Sequence, residues 1–330
     1  MFDQTVTEQL AQFMTQPEPA SSADKSGAAV TISGARLMFG QRVLWDEFDL
    51  TVAPGEFIAI LGPNGSGKTS LLKTLLGQYQ LNAGTVAVQG RSLRAGDSTI
   101  GYIPQQQTHD EGVPLRGRDL VGLGVDGQAW GIGWRNRKRR NALVDDAIAQ
   151  VDAREFADAP IGLLSGGEQQ RLRVAQALSG DPSVLLCDEP LLSLDPANQR
   201  RVAALIDRRR RDHRTAVLFV THEINPILPY VDRVVYLVDG RFRIGTPAQV
   251  MTSETLSELY QTRVDVLQVQ GRLIVVGADE SACHGDLGSG SAFGSASGDH
   301  GSGSAFGSAS GDHGSAHLDH LSTRDVGVKE

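Results

Sequence analysis

Residues 62–69 read GPNGSGKT, which sets Gly62, Gly65, Gly67, Lys68 and Thr69 at the spacing G-x-x-x-x-G-K-[ST]. Glycines let consecutive backbone N–H groups curl around a phosphate without Cβ clashes. A helix starting at Lys68 would add the partial positive charge of its N-terminus, and the lysine adds a full one for β and γ phosphates. The whole loop, Gly62, Pro63, Asn64, Gly65, Ser66, Gly67, Lys68 and Thr69 with Ser70 behind it, is assigned to a nucleoside triphosphate. The hydroxyl of Thr69 is placed to join a Mg²⁺ shell. A second stretch, VLLCDEP at 184–190, is an apolar run ending in two carboxylates. Asp188 at its tip is expected to hold Mg²⁺, mostly through water. Neighbours on a strand point to opposite sides, so Glu189 cannot share that task. It is expected to act as general base on the water that attacks the γ-phosphate.

A third stretch, LSGGEQQRLRVAQAL at 164–178, baits another helix N-terminus with Ser165, Gly166, Gly167 and Glu168. The Ser165 hydroxyl and the two glycine N–H groups make an anion site. One chain would then carry two phosphate-binding surfaces for one triphosphate. His222 closes an apolar run, VLFVTH. A histidine there reads, on its own, as a hydrogen-bonded structural residue.

These groups need elements to hold them. Fully apolar runs at 57–61, 184–188, 216–221 and 233–238 read as strands buried on both faces. Helical spacing separates them: Leu71, Leu72, Leu75 and Leu76 fall on one side, Leu143, Ala147 and Val151 recur at four, and 168–178 follows a Gly–Gly start. Strand and helix in alternation predict an α/β domain with a mainly parallel sheet. Residues 29–53 read as strands, and about 107–180 reads as an inserted helical subdomain. VDVLQVQGRLIVV at 264–276 predicts a hairpin turning at Gln270 and Gly271. The organisation expected is a disordered segment over 1–27, the main domain over 28–263, the hairpin over 264–279 and a disordered Gly/Ser/His/Asp tail over 280–330.

The chain has 330 residues, 40% of them hydrophobic, enough for a substantial core. Its net charge of −8 argues against a nucleic-acid binder. The basic runs at 135–140 and 208–211 read as solvated faces, the first also as a contact for anionic head groups or a membrane partner. No apolar stretch is long enough to cross a bilayer, and the start lacks the pattern of a secretory signal. Two cysteines make no disulfide framework, and Cys187 is expected to fill the strand. A cytosolic protein is expected.

In order along the chain, the phosphate loop, Gln105 in GYIPQ, LSGGE, LLCDEP, SLD at 193–195 and His222 in VTHE resemble the nucleotide-binding subunits of ATP-binding cassette (ABC) transporters. The likeness spans roughly 29–260. It implies a P-loop NTPase cassette with a parallel core, an antiparallel β-subdomain and the inserted helices. It also implies an ATPase that uses ATP and Mg²⁺. Two copies would face head to tail as a homodimer, each ATP held between one phosphate loop and the SGGE of the other. The resemblance gives Gln105 a Mg²⁺ contact and a link to the helical subdomain. It gives His222 the γ-phosphate and Glu189, Ser193 and Asp195 the dimer interface, and Phe39 the adenine ring.

One cassette and no membrane span imply a separate permease, a solute-binding protein outside the membrane and a place at the cytoplasmic face. An importer is expected; a soluble ABC ATPase acting on ribosomes or DNA is the other class. GTPAQVMTSETLSELY at 245–260 is similar to the closing segment of zinc, manganese and iron importer cassettes, and less closely to siderophore and haem importers. THEINP departs from the usual pattern at Asn225–Pro226. Five of the eight histidines lie in the last 47 residues, where GSGSAFGSASGDH occurs twice, at 288–300 and 301–313. Imidazole beside aspartate suits Zn²⁺ or, less selectively, Mn²⁺, but a spacing of 13 forms no compact ligand set, and the repeat reads first as a plain linker made by duplication.

Overall fold

The computed structural model describes residues 27–94, 96–105, 115–127 and 137–277. β1 (Val30–Phe39) pairs antiparallel with β2 (Arg42–Val52), and after β3 (Phe57–Leu61) and α1 (Lys68–Leu75) the chain returns as β4 (Ala83–Val88) and β5 (Arg91–Ser92). The order β2-β1-β4-β5 makes a four-stranded antiparallel sheet. The second sheet joins β3 to β6 (Ile100–Ile103), β7 (Val184–Asp188), β8 (Ala216–Val220), β9 (Arg233–Val238) and β10 (Arg241–Gly245). Its order is β10-β9-β3-β8-β7-β6, parallel throughout except for β10 at one edge.

Because side chains alternate across a strand, each parallel strand feeds two cores. Ile58, Ile60, Leu186, Leu218 and Val235 point to one face and meet Trp45 and Phe48 of the antiparallel sheet with Leu71, Leu72 and Leu75 of α1. Phe57, Ala59, Leu185, Cys187, Phe219 and Val234 point to the other face, which is covered by helices. This is why the sequence shows unbroken apolar runs rather than alternation. Each leucine that α1 buries there contributes about 2 kcal/mol of transfer free energy.

Among the described residues, the chain between β6 and β7 forms α2 (Gly117–Asp126), α3 (Arg137–Gln150) and α4 (Gly166–Leu178), with one isolated bridge from Arg116 to Pro160. Val121, Val144, Ala147, Ile148, Leu172 and Leu178 turn their apolar stripe to the second core. Of the basic run at 135–140, Arg137, Lys138 and Arg139 are exposed at the head of α3, where cations oppose the helix dipole. Arg140 instead forks onto Asp126 at the end of α2, at 2.7–2.9 Å. That hydrogen bonding holds the Asp126 carboxyl below its usual range.

The described residues continue with α5 (Pro196–His213) between β7 and β8 and, after β10, α6 (Pro247–Val250), α7 (Ser253–Tyr260) and a hairpin of β11 (Asp265–Val269) and β12 (Arg272–Val276). Gln270 and Gly271, both at positive φ (50° and 76°), make its two-residue turn. The segments read as disordered, 1–27 and 280–330, lie outside the described residues but for Gly27. The His/Asp repeats lie there too.

β6 is absent from the apolar runs picked out above. Its four residues, IGYI, include a glycine and occupy an edge of the sheet, so they carry too short a signal. The run at 208–211 is corrected as well: only part of it is a solvated face. Arg209 is buried, donating Nε–H to Thr215 Oγ1 at 3.2 Å, Nη1–H to Gln150 and Nη2–H to Asp181 and the Pro182 carbonyl. It ties the C-terminal half of α5 to the turns that start β7 and β8. Arg209→Ala is expected to lower unfolding free energy by about 2–3 kcal/mol through lost hydrogen bonds and stem packing. Half-exposed Arg208→Ala should stay within about 0.5 kcal/mol, and urea denaturation of both variants compares them.

Candidate functional site

β3 delivers the glycine-rich loop and α1 carries it away. Gly62 has φ 138°, and a Cβ there would stand 2.0 Å from the Leu237 carbonyl oxygen of β9. Gly67, the residue before α1, has φ 99° and packs under Trp45. Both positions therefore require glycine, one for a close approach and one for a left-handed turn. α1 has no side-chain cap, so the orphan N–H groups of its first turn face the loop. Lys68 is buried, its Nζ donating to the carbonyls of Gly62 at 2.7 Å and Pro63 at 2.9 Å. Burial lowers its pKa, and the nearby carboxylates of Glu189 and Asp188 work the other way. A lysine carries three N–H donors, so one remains for a phosphate oxygen.

β7 brings the carboxylates. Thr69 Oγ1 donates to Asp188 Oδ1 at 3.0 Å, and Tyr102 of β6 donates its hydroxyl to Asp188 Oδ2 at 3.4 Å. Burial pushes the Asp188 carboxyl up, while the Thr69 hydrogen bond pulls it back. The Tyr102 phenol is raised to about 12 by burial, then by the Asp188 charge. A buried carboxylate beside a hydroxyl is a hard-oxygen donor set, and it fits Mg²⁺. Glu189 lies one residue past the end of β7 with φ 47° and donates its N–H to Val220 O at 3.0 Å. Its direction is thus set by a left-handed turn and not by strand alternation. Gln105 Nε2 donates to Glu189 Oε2 at 3.4 Å, and His222 Nδ1 stands 3.8 Å from the same oxygen.

Lys68, Thr69, Gln105, Glu189 and His222 line one cleft of about 930 Å³ together with Phe39 and Arg42, while Asp188 and Tyr102 stand behind Thr69. Phe39 is half exposed and meets Tyr79 edge-on at 5.1 Å, leaving ring surface for a base. Arg42 was not foreseen; it donates to the Gly65 carbonyl at 3.0 Å and puts a second cation over the loop. Tyr102 was missed too, although a polar ring inside a strand is a visible signal.

Ser165, Gly166, Gly167, Glu168 and Asp195 do not line this cleft. They share a second surface. Ser165 caps α4: its N–H and Oγ donate to Glu168 Oε2 at 2.9 and 2.7 Å, and Oγ accepts the Glu168 N–H at 3.4 Å. Those bonds lower the Glu168 pKa. Asp195 caps α5, accepting the N–H groups of Asn198 and Ala197, which hold its carboxyl low. Gly167 packs on Asn198 so closely that a Cβ would lie 2.6 Å from its Cγ. Ser193, at φ 64°, sits in the turn that leads into Asp195.

The family model described as ABC transporter matches residues 45–192. A zinc import ATP-binding protein of Roseobacter denitrificans is 35% identical over 71% of this chain and 84% of its own length. A manganese transport system ATP-binding protein of Listeria innocua is 31% identical over 70% of this chain and 95% of its own. An aliphatic sulfonates import ATP-binding protein of Nocardia farcinica is 38% identical over 66% and 81%. Among solved structures, a dimeric ATP-binding cassette with ADP and phosphate bound superposes with a TM-score of 0.55 at 24% identity, over 66% of this chain and 98% of that one. A phosphate loop, a strand-end Asp–Glu pair and this similarity over most of each relative agree: the chain is an ABC ATPase and belongs to the ATP-binding subunits of ABC transporters.

Proposed function

We propose that this chain hydrolyses ATP at the cytoplasmic face of a membrane to drive import of a divalent metal, zinc or manganese, through a separate permease. The observation that carries the chemistry is the convergence of Lys68, Thr69, Glu189, Gln105 and His222 on one cleft, with Asp188 hydrogen-bonded to Thr69 directly behind it. Lys68 and the N–H groups heading α1 bind the β and γ phosphates. Phe39 stacks on the base. Thr69 and Asp188 would hold Mg²⁺, with Gln105 beside them, and the ion when bound neutralises phosphate charge. Glu189 Oε2 orients the attacking water and takes its proton, and His222 and Gln105 fix that oxygen from two sides.

The second phosphate-seeking surface, at Ser165–Gly167, belongs to the partner's nucleotide. Two copies in head-to-tail register each complete the other's site, with Ser193 and Asp195 at the seam. The solved cassette, dimeric with ADP and phosphate, supports this arrangement. The exposed cations heading α3 lie between Gln105 and Ser165 in sequence and are candidates for the permease contact. Among the described residues no helix is long and apolar enough to cross a membrane, which agrees with a peripheral subunit. The metal cargo rests on the zinc and manganese relatives and on the 245–260 segment; a solute-binding protein is the expected donor.

The sulfonate relative, at 38% identity, favours an organic solute instead, and siderophore or haem falls in that class. Growth separates the two readings. A strain lacking this gene is expected to fail in medium depleted of zinc or of manganese and to recover when that metal is added. Normal growth under both depletions, with failure on sulfonate as sulfur source, contradicts the metal assignment. For the motor, Glu189→Gln is expected to slow ATP hydrolysis by about a hundredfold or more while ATP binding persists. With saturating ATP it should sediment as a dimer; a monomer under those conditions contradicts the shared site.

A further inference from the structure

The segment carrying His222 is held at two points, and the second hold comes from the last described element of the chain. On the near side, Thr221 Oγ1 accepts the Glu223 N–H at 3.1 Å and donates to the Glu223 carbonyl at 2.9 Å, closing a tight turn around the histidine. On the far side, Asn225 Nδ2 donates to Leu273 O at 3.0 Å, and its Oδ1 accepts the Leu273 N–H at 2.8 Å. Leu273 pairs with Gln268, one step from the hairpin turn. In a two-residue hairpin the pair flanking the turn is the hydrogen-bonded one, so the next pair aims its N–H and C=O outward. Among the described residues β11 and β12 form a two-stranded sheet, with no third strand on that outward edge. The Asn225 amide, with donor and acceptor side by side, takes the place of one residue of such a strand.

The hairpin is itself fastened. Ser257 Oγ accepts the Val264 N–H at 2.9 Å and donates to its carbonyl at 3.1 Å, and Ser253 Oγ accepts the Val266 N–H at 2.8 Å, tying the hairpin to α7. Leu273 and Val275 line the same cleft as His222. The His222 side chain is 55% exposed, so packing does little to aim it. Its direction must come from the backbone that carries it.

We propose that Asn225 and the C-terminal hairpin are a positioning device for His222, holding its ring against Glu189 and acting on hydrolysis rather than on ATP binding. The inference rests on the role given to His222 above. Asn225→Ala in the full chain is expected to lower kcat for ATP hydrolysis roughly tenfold, the order of effect that a displaced catalytic group produces. KM for ATP and the thermal midpoint should stay near those of the unmodified chain. Leu273→Pro deletes the N–H that Asn225 accepts, at a strand edge where proline is tolerated, and is expected to slow turnover similarly. The double variant should be no slower than the slower single one.

His222→Ala, measured alongside, separates the two readings. If it keeps the full rate, the His222 role fails and this inference with it. If His222→Ala is slow while Asn225→Ala turns over at the unmodified rate, only the positioning role is overturned. It is also overturned if the two single effects multiply in the double variant, or if KM rises in step with the loss of kcat. Should Asn225→Ala not fold, Leu273→Pro alone decides by the same split of kcat from KM.

Discussion

A helix N-terminus can face one anion at a time, and this chain sets two glycine-flanked helix heads on different surfaces. α1 opens into the cleft with Lys68 and Thr69 at its head. α4 opens elsewhere, its Ser165 hydroxyl and glycine N–H groups lying beside the head of α5. Each head brings partial positive charge and orphan N–H donors. One triphosphate in the cleft uses only the first. The second would be left for a nucleotide held by another copy, and the proposed shared site rests on that surplus.

Behind the cleft the arrangement turns on Asp188, which Thr69 joins to it. Its carboxylate is buried at the tip of β7, and burial alone makes its charge unfavourable. Thr69 and Tyr102 relieve part of that by hydrogen bonding, and a divalent cation bridging to phosphate would relieve more. One residue on, the left-handed turn at Glu189 swings the second carboxylate toward Gln105 and His222. Two adjacent carboxylates are thereby given different partners. The parallel sheet makes this possible, because β3, β7 and β8 all end at the same edge and leave the loop, the carboxylates and His222 there together.

Much of this was legible in the residues. Glycine spacing around Lys68 and the apolar runs of β3, β7, β8 and β9 follow from steric and burial rules that act locally. The Gln270–Gly271 turn was readable because a glycine between two apolar runs supplies the positive φ that a two-residue turn needs. Other features depend on the whole fold. β6 is four residues at a sheet edge and carries too short a pattern. Arg209 sits in a run of four arginines, and which of them faces inward depends on where α5 packs. Asn225 showed only as a departure from a familiar pattern; its partner Leu273 lies 48 positions away. Glu189 was set apart from Asp188 on strand alternation; in the structure a turn at φ 47° separates their directions instead.

The shared site is tested most directly by mixing two inactive chains. Lys68→Ala spoils the loop and leaves the Ser165 surface whole; Ser165→Ala does the reverse. In a mixed pair, one of the two sites is built from the sound loop of one chain and the sound serine surface of the other. An equal mixture is expected to recover ATP hydrolysis up to about a quarter of the unmodified rate, since half the pairs are mixed and each has one good site. A mixture no faster than the mean of the two variants measured alone would contradict a nucleotide enclosed by two copies.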